Sequence, residues 1–148
     1  ITSGTGGTTF SPGRDCTRAE TLTFLWRANG PPEAEHLYGV WDVTADKYYF
    51  QAVQWAAEQD IIEHFGDFEP DVPCTRAMAV EFLWKAAGSQ AIALAESFDD
   101  VPMDASYSTA VDWAVLEGIT SGTSEDTFSP DLVCTRGQIV TFLHRAYA

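Results

Sequence analysis

Positive charge is scarce in this chain: eight Lys and Arg face 22 Asp and Glu across 148 residues, for a formal net charge of −14. That balance excludes general nucleic-acid binding, which needs basic patches to neutralise phosphates. An anion bound here would have to meet local cations. Cysteine is nearly absent, and its three residues form no CxxC pair, so neither a disulfide framework nor a zinc ribbon is indicated. No apolar run approaches the roughly 20 residues that span a bilayer, so no membrane segment is expected. No secretory leader opens the chain at Ile1; a signal is expected to have been removed or to lie in a longer parent. Nucleophile elbow, phosphate loop, HExxH helix and EF-hand loop are all missing. No catalysis and no cofactor is therefore expected. Core material, in contrast, is plentiful: 45% of the residues are hydrophobic and 13% aromatic, too rich for disorder.

What the chain does have is repetition. The tripeptide Cys-Thr-Arg occurs at 16–18, 74–76 and 134–136, with spacings of 58 and 60 residues. Six residues before each Cys stands the Phe of a Phe-x-Pro element: Phe10-Ser11-Pro12, Phe68-Glu69-Pro70 and Phe128-Ser129-Pro130. Seven residues after each Thr comes Phe24-Leu25-Trp26-Arg27, Phe82-Leu83-Trp84-Lys85 or Phe142-Leu143-His144-Arg145. A second block appears twice, as Tyr49, Ala52-Val53, Trp55-Ala56, Ile61 and as Tyr107, Ala110-Val111, Trp113-Ala114, Ile119. The first unit keeps only its tail, Ile1-Thr2-Ser3-Gly4, matching Ile119-Thr120-Ser121-Gly122. The chain thus reads as a single domain over 1–148, with a partial repeat at 1–32 and whole repeats at 38–90 and 97–148.

Each whole repeat predicts two helices. The later one starts at the Cys-Thr-Arg: Thr17 with Glu20 and Thr135 with Gln138 make capping boxes, whereas Thr75 faces Met78 and keeps the cap alone. Gly30 and Gly88 fall where a glycine ends a helix. The earlier helix is expected over roughly 47–60 and 105–118. Strand patterns are weak, which predicts an all-α protein with long turns. Two helices of this size cannot bury their apolar stripe alone, so the units must pack together, in a linear stack or a closed pseudo-threefold cluster. Three units without distinct polar caps favour closure.

The placement of the repeated Arg raises a physical question. Just inside the N-cap, Arg18, Arg76 and Arg136 meet the positive end of the helix dipole, a disfavour of about 0.3–1 kcal/mol. Each needs a partner. An acid of a neighbouring repeat, such as Asp42, Asp99 or Asp100, is one candidate. A bound anion, held by the guanidinium and free backbone N–H groups, is the other. The second repeated cation, Arg27/Lys85/Arg145, lies near the helix C-terminus, where simple dipole stabilisation explains it. The cysteines read as small buried hydrophobes just outside the cap rather than metal ligands. His36, His64 and His144 share no spacing, and His144 replaces a Trp as a packing residue. No metal site is expected.

The succession Phe98-Asp99-Asp100-Val101, Tyr107, Ala110-Val111, Trp113-Ala114, Gly118-Ile119, Gly122, Phe128-Ser129-Pro130, Thr135-Arg136 resembles a surface-layer homology (SLH) domain, and Thr17-Arg18-Ala19-Glu20 matches that family's signature tetrapeptide. The resemblance extends over nearly the whole chain in three registers. It implies a pseudo-threefold helical spindle built from three two-helix repeats, carried by proteins exported to the bacterial cell surface. It further implies a non-catalytic anchoring module that binds an anionic, pyruvylated-type secondary cell-wall polysaccharide in grooves between repeats. Carried over by position, the ligand contacts are Arg18, Arg76 and Arg136, the loop glycines Gly4 and Gly122, and the groove aromatics Trp55 and Trp113. The middle loop departs from the pattern: it is two residues shorter, and His64 falls where the others have Gly4 and Gly122. It is expected to bind most weakly. The alternative is a protein-interaction or self-assembly scaffold, with a second copy or a partner segment filling the place of the missing first helix.

Overall fold

A computed structural model describes residues 1–148. Five helices and two short strands follow in the order α1 (Arg18–Ala28), β1 (Gly39–Val40), α2 (Phe50–Glu58), β2 (Phe65–Gly66), α3 (Arg76–Ala86), α4 (Ser108–Leu116) and α5 (Arg136–Tyr147). The all-α expectation needs correcting. Helices hold only about a third of the chain, and β1 and β2 pair in parallel, Gly39 opposite Phe65 and Val40 opposite Gly66. Two-residue strands are too short to carry a period-two pattern, which is why the sequence hides them.

The helices that open at Cys-Thr-Arg form where expected, and for the expected reason. Thr17 and Thr135 make full capping boxes with Glu20 and Gln138, while Thr75 accepts only the Met78 amide. The earlier helices are shorter than the pattern suggests. Their first turns are tighter, with Phe50 N–H bonded to Lys47 C=O and Ser108 N–H to Ala105 C=O, each three residues back. Their last turns close as Schellman motifs. Ile61 N–H reaches Ala56 C=O and Ile119 N–H reaches Ala114 C=O, both at 2.8 Å, with Asp60 and Gly118 left-handed at the C′ position.

Packing runs from one repeat to the next: α2 lies on α1 and α4 lies on α3, while α5 has α1 and α3 as its main helical neighbours. The centre is made of backbone. Cys16 N–H donates to Cys134 C=O (2.9 Å), Cys134 N–H to Cys74 C=O (2.9 Å), and Cys74 N–H to Cys16 C=O (2.8 Å). This ring of hydrogen bonds ties each repeat to both others, and all three cysteines are fully buried around it. A larger side chain would crowd the point where three segments of the chain meet, so a small hydrophobe suits the position. Phe128, Leu22, Leu25, Ile61, Ile119 and Ile139 complete the innermost packing.

Burial pushes the Cys16 and Cys74 thiols up to about 12 and the Cys134 thiol up to about 11. Because these pKa values are raised in the folded state, the stability they reflect is complete below the unfolded thiol pKa of about 8.5 and drains away as pH climbs through the folded values. The expected outcome is therefore twofold. At pH 8 a thiol reagent such as DTNB labels the native chain at a negligible rate and all three cysteines in guanidinium. Denaturation midpoints fall above about pH 9, and they fall less in a variant with all three cysteines replaced by alanine.

Candidate functional site: three grooves between repeats

The head of each Cys-Thr-Arg helix is locked onto the Phe-x-Pro loop of the following repeat. Arg18 N–H donates to Val72 C=O and Ala19 N–H to Pro70 C=O; Arg76 and Ala77 repeat this on Leu132 and Pro130, and Arg136 and Gly137 on Arg14 and Pro12, all at 2.9–3.0 Å. The third amide goes to the capping Thr hydroxyl. The free helix amides expected beside the guanidinium are thus already taken, because loop carbonyls satisfy them.

The arginines follow the same rule. Arg18 Nε donates to Phe68 C=O (2.9 Å), Arg76 Nε to Phe128 C=O (2.7 Å) and Arg136 Nε to Phe10 C=O (3.0 Å). Each guanidinium also lies between two rings, that of the Phe-x-Pro loop and that of the next helix. The centroid distances are 4.8 and 5.7 Å for Phe68 and Phe82, 4.7 and 5.4 Å for Phe128 and Phe142, and 4.9 and 5.0 Å for Phe10 and Phe24. Two π faces and a carbonyl offset the poor dipole position. Arg76 and Arg136 are buried to 4 and 3% exposure; Arg18 is half-buried.

The acids proposed as partners do something else. Asp42 accepts the amides of Phe68 and Glu69, and Asp100 those of Phe128 and Ser129, at 2.6–2.8 Å. Each carboxylate grips the N–H of the same Phe whose C=O the arginine holds. In the second and third repeats this clamp sits at a strained point; the residue between Phe and Pro is left-handed in every repeat, with φ of 55° at Ser11, which no carboxylate holds, and 59° at Glu69 and Ser129. Asp99 makes only a backbone bond to Asp126. Among the acids only Glu20 pairs with a signature arginine, Arg136, at 3.3 Å, and it also binds Arg14.

An open groove borders each arginine. The Arg136 groove, about 610 Å³, is lined by Ser3, Gly4, Thr5, Arg14, Glu20, Thr23, Phe24, Arg27 and Tyr48. The Arg76 groove, about 510 Å³, has Thr120, Ser121, Gly122, Gln138, Thr141 and Arg145. The Arg18 groove is smaller, about 200 Å³, and holds Ile62, Glu63, Phe65, Asp67, Met78, Glu81 and Lys85. Seven of the eight Lys and Arg line these three grooves; Lys47 is the exception. The second repeated cation sits in the last turn of its helix, as expected, and also lines a groove. Arg27 reaches Ser3 Oγ (3.4 Å) and Arg145 donates to Ile119 C=O (2.9 Å), each across the groove from a signature arginine. Sequence spacing held this signal, since the cation recurs nine residues after each Arg, but its direction is a tertiary fact.

The structure divides the remaining candidates. Gly4 and Gly122 do line grooves, and packing demands glycine at both: a Cβ on Gly4 would sit 2.2 Å from Thr9 O, and one on Gly122 2.5 Å from the Phe98 ring. Both belong to matching loops, closed by Thr5 N–H to Thr9 C=O and Thr123 N–H to Thr127 C=O. Trp55 and Trp113 do not line any of the grooves. They are core residues, 5 and 4% exposed, and the Trp113 indole N–H has no partner. Large faces on the inner side of α2 and α4 go where burial gains most. The exposed groove aromatics are instead Tyr48 and Phe65, 63 and 70% exposed, one in the turn before α2 and the other in the two-residue strand β2, where no periodicity marks them. His144 is exposed rather than packed. No group of three His, Cys, Asp or Glu side chains is placed to hold a metal ion.

Comparison with known families gives one result. The model of the S-layer homology domain matches residues 1–22, 42–79 and 97–140. These segments correspond to three tandem repeats with the first truncated. No curated protein matches the chain.

Because Arg76 supports a buried carbonyl and fills the space between two rings, Arg76→Ala is expected to cost about 2–4 kcal/mol. Arg145→Ala, on an exposed side chain, is expected to cost less than about 1 kcal/mol. Urea denaturation of the two variants checks this; equal losses would mean that Arg76 does not carry the inter-repeat joint.

Proposed function

The chain belongs to the S-layer homology domain family, whose domains anchor surface proteins to the bacterial cell wall, and from that premise we propose that it is a non-catalytic module binding an anionic secondary cell-wall polysaccharide in its inter-repeat grooves. The observation that carries this reading is the placement of charge. A chain with a net charge of −14 gathers seven of its eight cations around three clefts and leaves the rest of its surface acidic. Structural ion pairing does not account for it, since Arg18, Arg27, Arg76, Lys85 and Arg145 form no ion pair. A ligand carboxylate, as on a pyruvyl ketal, would meet guanidinium groups partly stripped of water, where charge-assisted bonds are strongest. Threonine and serine hydroxyls beside them suit sugar hydroxyls, and Tyr48 offers a face for a ring.

The single domain over 1–148 and its pseudo-threefold spindle belong to the same reading. They are supported by the cysteine ring and by the cyclic order of the arginine bonds, repeat one to two, two to three and three to one. A second reading has its own observation. Nothing lies on α5 as α2 lies on α1, and Val140 is half-exposed where its counterparts Leu22 and Val80 are fully buried. A helix from a second copy or a partner segment would fit that place.

The test uses the second cations, which touch the groove without holding the repeats together. Arg27→Ala with Arg145→Ala is expected to lower retention on isolated bacterial cell walls at least tenfold while leaving the thermal midpoint within a few degrees. Wild-type retention should weaken with salt and vanish on walls stripped of their ketals. Unchanged retention by the folded double variant would defeat the proposal.

A further inference from the structure

The repeats share one framework, but their grooves differ in chemistry. The Arg136 and Arg76 grooves use equivalent parts: Ser3-Gly4 or Ser121-Gly122 from the loop, Thr23 or Thr141 from the helix, and a second Arg. In the Arg18 groove every one of these positions has changed. The loop gives Glu63 for Ser, with His64 for Gly; the helix gives Glu81 for Thr; the second Arg is Lys85. Asp67 adds a third carboxylate. The Arg76 groove therefore has two cations and no acid, and the Arg136 groove three cations and Glu20. The Arg18 groove sets three carboxylates against two cations.

We infer that only the Arg136 and Arg76 grooves accept an anionic sugar, and that Glu81 is the residue that shuts the Arg18 groove to it. The inference rests on the reading of the grooves as anion sites and specifies which of them act. Glu81 is placed for this role. It is half-buried, on the turn of α3 between Met78 and Lys85, so its charge faces the groove through little water. Pairing does not neutralise it: neither Arg18 nor Lys85 forms an ion pair with it, although Lys85 is four residues on. Its own fold has no use for the acid, because Thr23 and Thr141 occupy the same helical position in the other repeats without loss of the helix. A ligand carboxylate approaching Arg18 would meet this like charge within the same small cleft, which is expected to weaken binding by tenfold or more, on the order of one pKa unit of interaction. The lost hydroxyls compound the effect. In the Arg76 groove Thr120 Oγ accepts from Arg76 and bonds the Gly122 amide, at 3.2 Å each, whereas Ile62 takes that place beside Arg18.

Isothermal titration of the whole chain with a methyl hexopyranoside carrying a 4,6-linked pyruvyl ketal tests this. Two sites are expected in the native protein, and one after Arg145→Ala. In Glu81→Thr with Glu63→Ser a third site is expected, within about tenfold of the others in affinity; Glu81→Gln alone should gain it partially, and serves if the double variant folds poorly. Any stoichiometry other than two in the native chain, or no third site in either variant, overturns the inference. Three native sites would do so while leaving the anion reading intact. Absence of all binding would remove that reading and the inference with it.

Discussion

The joint between one repeat's helix head and the next repeat's Phe-x-Pro loop is what the rest of the structure depends on. Alone, a helix N-terminus leaves amides unpaired and repels a cation. A left-handed residue before proline is likewise unfavourable alone. Brought together, each resolves the other. Loop carbonyls accept the helix amides and the arginine Nε, and two Phe rings enclose the guanidinium. The joint occurs three times in cyclic order and closes on the cysteine backbone ring, so each repeat draws hydrogen bonds from both others. The grooves follow from this closure. Each is the space left beside a joint, bounded by the arginine on one side and the second cation on the other.

Much of this was legible in the sequence, and the limits were physical. Capping is local, so Thr17, Thr75 and Thr135 announced their helices and even the missing reciprocal bond at Met78. Burial of the cysteines followed from their place outside a cap. The partner of each arginine did not follow, because a carbonyl 50, 52 or 126 residues away leaves no mark in residue type. Carboxylates drew attention as partners since their charge is visible in the sequence, yet Asp42 and Asp100 hold the N–H of Glu69 and Ser129, the other end of the same peptide unit. Trp55 and Trp113, which the resemblance nominated as groove aromatics, are core residues, as helix-face tryptophans are by default. The exposed aromatics that face grooves, Tyr48 in a turn and Phe65 in a two-residue strand, had no pattern to mark them.

The acidity of the chain then acquires a meaning beyond solubility. At physiological ionic strength charges interact over about 8 Å, so a carboxylate on the far side of the molecule hardly weakens a groove. It does discourage anions from settling elsewhere on the surface. On the proposed reading, cations confined to clefts and acids spread outside them make selection local, and a ligand would have to insert its charge to feel attraction. Arg76 illustrates the cost. Burial lowers its pKa, so the groove holds a guanidinium that has already lost much of its hydration. An incoming carboxylate would restore that lost solvation.

Repetition is what lets the grooves diverge without harm to the fold. The joint draws on the Phe-x-Pro loop, the signature arginine, the capping threonine and the ring phenylalanine, and these recur in every repeat. The groove chemistry draws on other positions: the residues after Ile1, Ile61 and Ile119, the sixth residue of each helix and the second cation. The two sets share the arginine and the ring phenylalanine, which lines each cleft, but differ at the positions that set groove charge and hydroxyls. The middle repeat exploits that separation. It replaces the glycine loop with the β1–β2 pairing and sets Glu81 in the cleft, while Arg18 still binds Phe68 as its equivalents bind Phe128 and Phe10. On the inference above, an arginine that serves both joint and groove must stay for the first role even where the groove no longer binds, so its presence in a repeat marks the closed joint and not a working groove.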